Sequence, residues 1–411
     1  MFRNFAKKGI MGHPSKSRAL GFTFIELMVS MALGLLIVGA AVKLFSQGVD
    51  ATWVVSQRAE MQQDLRAVQN MLTKDISLAG AGISGGQGIA LANGAGVTPI
   101  YGCDQTGLAS GCPPNGGVKY PCPAGAGCIP TLYGLIPGFA LGIVPPGSLT
   151  VSDLITVSYS DTIFALNCYT VTFTAPGNVV TFTAPPNPPP TSCILPPGLA
   201  FPQNVNDAAI GLLPGDIVYF QNTKLGPAIG EVTNVVGAFP NYVVTFADGD
   251  PLKLNQSGAA NDLTQISGFA GGGGASSIGT VANRIFVITY YLQNNLDPTG
   301  VTAGTPVLMR QVNGHTAVPA AENIINTQFT YDTYAADGTL LNQLPDGGES
   351  LGVSLNLIRK INIAHLTVRS QLDGARSALY ATNGFQGYDV QTSISARNLS
   401  YQNRYAFTPG P

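Results

Sequence analysis

From Phe22 to Phe45 the chain reads FTFIELMVSMALGLLIVGAAVKLF, twenty-four residues whose only charges are Glu26 near the start and Lys43 near the end. At about 1.5 Å per residue this pattern predicts a helix of roughly 36 Å, enough to cross a hydrocarbon core of about 30 Å with some tilt. A secretory signal would carry a shorter apolar region, about 7 to 15 residues, closed by an A-x-A-like site. No such site closes this segment. Beyond Phe45 the pattern turns amphipathic. Met61, Leu65, Val68, Leu72, Ile76 and Ala79 recur at steps of three and four, while Arg58, Asp64, Arg66, Lys74 and Asp75 take other faces. The spacing predicts one helix from Phe22 to about Leu78, with no proline inside it and a stop at Gly80-Ala81-Gly82 and Gly85-Gly86. Residues 22–45 are its transmembrane half and 46–79 its amphipathic half, whose apolar stripe reads as packing against a globular head.

After Leu78 the chain changes to glycine, proline and cysteine, and residues 80–150 show no helical period, so they read as a loop-rich insert. From there on the pattern is β. Alternating, β-branched or aromatic runs cover Leu154 to Tyr159, Asp216 to Gln221, Glu231 to Val236, Tyr242 to Phe246, Arg284 to Gln293 and Thr327 to Tyr334. Cys168 and Cys193 flank two such runs, Tyr169 to Thr174 and Val179 to Thr183, joined by Pro176-Gly177-Asn178, which predicts a β-hairpin. Pro185 to Pro190 reads as an extended loop and Gly271 to Gly274 as a linker or loop tip. The fold class is α+β: a long N-terminal helix on an antiparallel sheet, with a β-rich middle at 151–270 and a β-rich C-terminal part at 271–411.

Composition narrows the function. Charged residues are 10% of the chain, against roughly 25% in ordinary soluble domains, and there are 50 glycines and 29 prolines. With 20 basic and 22 acidic residues the chain has no electrostatic footprint for gripping phosphates, so nucleic acid is not an expected partner. The charge is unevenly placed. Arg3, Lys7, Lys8, Lys16 and Arg18 precede Phe22 with no acid among them. Taking these five away leaves 15 basic against 22 acidic residues, a balance of -7. A basic leader before the span puts the N-terminus on the cytoplasmic side and the remainder outside. Met11 offers a second start, which leaves the leader two of its basic residues.

Four of the six cysteines, Cys103, Cys112, Cys122 and Cys128, fall in the insert at separations of 9, 10 and 6. Zinc sites usually present close C-x2-C pairs, which are missing, and cysteines beyond a membrane suit structural disulfides. A bridge between Cys168 and Cys193 would staple the ends of the hairpin, but six cysteines allow about 15 full pairings and spacing does not choose among them.

Glu26 is the anomaly, because a carboxylate in an apolar span needs a partner and no basic residue lies within one helical turn. Reading back from it, Lys16-Ser17-Arg18-Ala19-Leu20-Gly21 followed by Phe22-Thr23-Phe24-Ile25-Glu26 resembles the processing site of type IV prepilins and pseudopilins. The resemblance implies cleavage after Gly21 by a membrane aspartic prepilin peptidase, removing residues 1–21, and N-methylation of the new terminal Phe22. It also implies a partner for Glu26, namely the terminal ammonium of Phe22 on a neighbouring subunit, which would favour axial register and association. A second resemblance lies in the C-terminal third: Arg284 to Leu292, Val307 to Val312, Glu322 to Ile324 with Phe329 to Asp332, Ile361 to Ser370, and the closing Ser395-Ala396-Arg397-Asn398-Leu399. That succession looks like the large minor pilins of the PilW type, which implies a pilin-type head.

Little else points to chemistry. The three histidines, His13, His315 and His365, sit in no metal or nucleophile motif. Asp248-Gly249-Asp250 and Asp332 with Asp337 read as acidic turns and lack the twelve-residue calcium-loop pattern. Gly271 to Gly274 lacks the Lys and Ser or Thr of a phosphate loop. The expected protein is not an enzyme and needs no cofactor. It is a minor type IV pilin in the bacterial inner membrane, single-pass, with its head in the periplasm and then in the pilus. Its expected partners are prepilin peptidase, other minor and major pilins, and the inner-membrane assembly platform, with a place in a priming or tip complex. A type II secretion pseudopilin and a tip adhesin for a surface or glycan are the alternatives.

Overall fold

The computed structural model describes residues 21–83, 88–94, 96–102, 118–121, 129–145, 150–174, 176–185, 193, 203–222, 225–264, 279–294, 306–335, 337–369 and 387–399. The chain divides into two compact units, Met1–Ser56 and Gln57–Pro411. Helix α1 (Phe24–Leu78) begins in the first, where every residue from Phe24 to Val49 is exposed. In the second unit its faces separate as the three-and-four spacing requires, with Met61, Leu65, Val68, Leu72 and Ile76 buried in the main core. The helix stops where Gly80 takes φ +77° and its N–H donates to the Ser158 carbonyl at 2.8 Å. A Cβ there would come within 2.7 Å of the Leu399 side chain, so the turn needs glycine for its dihedral and for its space.

The rest of the second unit is antiparallel β. Strands β1 (Ile89–Ala90), β2 (Ile100–Tyr101), β3 (Val118–Lys119) and β4 (Thr131–Leu132) make two short ladders, β1 with β4 and β2 with β3. Next come β5 (Leu135–Gly138), β6 (Leu154–Ser160), β7 (Thr170–Thr174), β8 (Val179–Thr183), β9 (Ile217–Asn222), β10 (Gly226–Glu231), β11 (Asn234–Ala238) and β12 (Asn241–Thr245). The long β13 (Thr280–Asn294) is followed by β14 (Pro306–Val312), β15 (Val318–Glu322), β16 (Ile324–Tyr334), β17 (Leu340–Leu344), β18 (Ile358–Arg369) and β19 (Gly387–Ser395). The principal sheet has seven strands, ordered β10-β9-β13-β14-β15, with β6 also on β13 and β5 on β6. Two four-stranded sheets complete the unit: β11-β12-β8-β7, interleaved in sequence with the principal sheet, and β17-β16-β18-β19, which follows it.

Two cores result. The larger joins the helix stripe to Leu154, Ile155, Val157, Ile285, Ile288, Tyr290, Ile361, Ile363 and Leu366. The smaller lies under the hairpin β7–β8, whose alternation turns Val171, Phe173, Val180 and Phe182 inward onto Phe220 and Phe246. The structure bridges Cys168 to Cys193, which close a loop of sequence separation 25 beside this core. Loop-closure entropy puts the bridge at about 3–4 kcal/mol. Replacing both cysteines by serine is expected to lower the unfolding free energy by that amount, measured by denaturant titration of oxidised protein, and an unchanged midpoint would exclude a structural role.

One sequence expectation meets a different arrangement, and another gains detail. The run Glu231 to Val236 is divided, because the Val232 N–H donates to the Asp216 carbonyl at 2.7 Å and the Thr233 N–H to the Thr245 carbonyl at 2.9 Å. The chain thereby leaves the principal sheet and enters the smaller one. Residues 80–150, read as a loop-rich insert, place Ile89, Leu91, Ile100, Tyr101, Leu132, Leu135 and Ile136 in the main core. Strands of two to four residues carry no period that hydropathy reveals.

One buried ionic cluster fastens the helix to the principal sheet. Asp75 accepts hydrogen bonds from the Tyr290 hydroxyl at 2.6 Å, Arg310 Nε at 3.0 Å and the Tyr159 hydroxyl at 3.2 Å, and pairs with the Arg310 guanidinium at 3.0 Å.

Candidate functional site

Gly21, Phe22 and Thr23 precede the first helical turn in open, exposed backbone, and a Cβ on Gly21 would meet nothing within 4 Å. Phe22 is 85% exposed. Thr23 caps the helix and Glu26 answers it. The Glu26 N–H donates to Thr23 Oγ1 at 3.3 Å, while Glu26 Oε2 accepts from the Thr23 N–H and from the Thr23 hydroxyl, both at 3.0 Å. This reciprocal Thr-x-x-Glu arrangement satisfies helix-end donors that would otherwise be orphaned, a heavy cost in an apolar medium. Sequence reasoning that treats Glu26 only as half of an intermolecular pair overlooks this role, although the Thr23 to Glu26 spacing is a readable capping signal. Among the described residues no cation pairs with Glu26.

Behind the cap the surface is apolar all round. Phe24, Ile25, Leu35, Leu36, Ile37 and Phe45 are among its exposed side chains, and Lys43 is the first basic residue. The helix is long and apolar enough to cross a membrane once, and its most apolar window has no buried residue. An aliphatic surface this large is tolerated in lipid or against other apolar helices.

Residues 16–42 match the family model described as the prokaryotic N-terminal methylation motif. The chain carries a prepilin-type methylation motif. The motif holds Gly21, Phe22 and Glu26 and ends inside the exposed part of α1. With a long helix packed on a large antiparallel sheet domain, the architecture is pilin-type α+β, consistent with the broad type IV pilin and pseudopilin family. No curated protein and no solved structure matches the chain.

The head offers binding chemistry of a different, structural kind. Among the described residues no group of three or more His, Cys, Asp or Glu side chains is placed to hold a metal ion. Asp248 accepts from the Ser257 N–H and hydroxyl, both at 2.9 Å, and Asp332 accepts from the Gln343 N–H and the Asn362 amide, both at 3.0 Å. Asp337 accepts from the Thr339 N–H at 2.8 Å. Asp248 and Asp337 close turns, whereas Asp332, read in sequence as an acidic turn, lies within β16 and ties it to β17 and β18. His315 meets Asp216 at 3.0 Å and His365 meets Asp389 at 2.8 Å, and among the described residues no cysteine or serine is bonded to either ring. His13, Cys103, Cys112, Cys122, Cys128 and Gly271 to Gly274 lie outside the described residues.

Proposed function

We propose that this protein is a minor type IV pilin of the PilW-like kind that takes part in pilus assembly. Prepilin peptidase would cut after Gly21 and the new amino group of Phe22 would be methylated. The apolar helix would hold the chain in the inner membrane, with its head in the periplasm, until it is drawn into a bundle of like helices in a priming or tip complex with other minor and major pilins on the assembly platform. The observation that carries this reading is the methylation motif at residues 16–42, set on a helix whose residues Phe24 to Val49 are all exposed. An apolar cylinder of that kind has two stable surroundings, lipid and other helices, and assembly exchanges one for the other.

Mass spectrometry of the native polypeptide is the test. The expected mature chain begins with N-methylated Phe22, and Gly21→Val is expected to leave most of the protein at precursor mass, since a branched side chain would stand at the residue preceding the cut. A native chain that retains its leader would overturn the proposal. A deletion strain that loses piliation and keeps secretion supports the pilus, whereas the opposite phenotype would assign the chain to a type II secretion piston.

A further inference from the structure

Far from the N-terminal segment, two carboxyl groups are buried against one another in the head. Glu231, the last residue of β10, is fully buried and Asp250 is 4% exposed, and their side chains hydrogen-bond each other. Ionised carboxylates only accept, so a hydrogen bond between two of them requires a proton on one. Glu231 Oε2 accepts from the Leu252 N–H at 3.0 Å, and Asp250 accepts from the N–H groups of Leu254 at 2.7 Å and Asn255 at 2.9 Å. Glu231 Oε1 receives no donor from the rest of the protein, and it faces Gly314, where a Cβ would come within 2.0 Å of it.

Cations do not meet the pair. None of the ion pairs among the described residues includes either acid. The buried Tyr120 is near enough to feel the charge of both acids, and its ring packs on that of Tyr101 at 5.1 Å between centroids. His315, next to Gly314 in the chain, turns its ring to Asp216, and Lys119 and Lys253 are exposed. Burial, then the neighbouring Asp250, push the Glu231 carboxyl up to about 9 from its ordinary 4.5, and burial pushes Asp250 up as well.

The pair fastens a particular segment. Asn255 Oδ1 accepts from the Glu231 N–H at 2.9 Å, and its amide donates to the Glu231 carbonyl at 2.7 Å and the Ala247 carbonyl at 3.0 Å. The same segment sends Leu252 and Leu254 into the main core and offers the Leu252 carbonyl to the Ile100 N–H at 2.9 Å. We propose that Glu231 and Asp250 form a proton-operated latch, in which one shared proton holds segment 247–256 on the end of β10 and its loss to solvent releases the segment. With the proton gone, two carboxylates would face each other in a site without a counter-ion, whereas in the open segment both are hydrated.

The sign follows from linkage. The closed form binds the proton more tightly than the open form, so the latch is fully fastened below about 4.5, loosens as the pH rises, and has lost its contribution above about 9. Between those limits one proton changes the opening equilibrium by up to about tenfold per pH unit.

Hydrogen exchange on the full chain in detergent reads this directly at the amides of Leu252, Leu254 and Asn255, after correction for intrinsic exchange. Opening is expected to rise by up to about tenfold per pH unit in the native chain and to stay flat in Glu231→Gln, whose amide donates to Asp250 with no proton to lose. Infrared spectra should show a protonated carboxylic acid at neutral pH that is missing in the variant. Should Glu231→Gln not fold, the native chain alone decides, because that band must disappear on strong alkalisation. Opening that ignores pH, an unchanged slope in the variant, a persistent or missing acid band, or a divalent metal ion retained through Glu231 in native mass spectrometry would each overturn the latch.

Discussion

Replacing Glu26 by alanine is expected to leave the protein inserted and cleaved after Gly21 while its amount in sheared filaments falls roughly tenfold or more. In the isolated chain the carboxylate closes the cap with Thr23 and has no cationic partner among the described residues. Cleavage would free the ammonium of Phe22, and in the proposed bundle helices packed side by side would bring that group to the Glu26 of a neighbour. An ion pair in apolar surroundings repays its desolvation only when both members meet, so removing one leaves the other stranded. Glu26→Gln separates the two roles. Glutamine at the third helical position still answers a threonine cap, but it carries no charge. If both variants fail to assemble, the charge is what matters, and if only alanine fails, the cap is. Immunoblots of sheared filaments and of membranes from the same cells supply both readouts, and full piliation with Glu26→Ala would remove the basis for an intermolecular pair.

Asp75→Ala is expected to lower the unfolding free energy by about 3–5 kcal/mol, the usual cost of stranding one member of a buried ionic cluster. Asp75 is 2% exposed and gathers Arg310, Tyr290 and Tyr159 from three strands of the principal sheet, β14, β13 and β6. Without it a guanidinium and two hydroxyls lose their acceptor inside the seam between the helix and the sheet. Asp75→Asn keeps an acceptor but not the charge and should lose less. Urea unfolding of the detergent-solubilised protein, followed by tyrosine fluorescence, checks both. An alanine variant within about 0.5 kcal/mol of the parent would show that the cluster is replaceable by hydration.

The sequence by itself determined the long helix, the apolar span and the methylation motif. Each rests on a local regularity: twenty-four nearly uncharged residues, a three-and-four stripe ending at glycines, and a fixed distance from Gly21 to Glu26. Long strands such as β6, β13 and β16 were equally legible, because their runs of β-branched and aromatic residues are long enough to read as strands. Only the tertiary structure decided what those regularities meet. Asp75 reads in sequence as a polar residue off the helix stripe, and it is buried because Arg310, far along the chain, arrives opposite it. Asp250 reads as an acidic turn, and it becomes half of a shared-proton pair because β10 delivers Glu231 to the same place. The 80–150 segment likewise enters the core through strands too short to have a period. Periodicity records which face a residue takes, whereas burial of a charge depends on a partner that the chain brings from a distance, and no local pattern encodes that meeting.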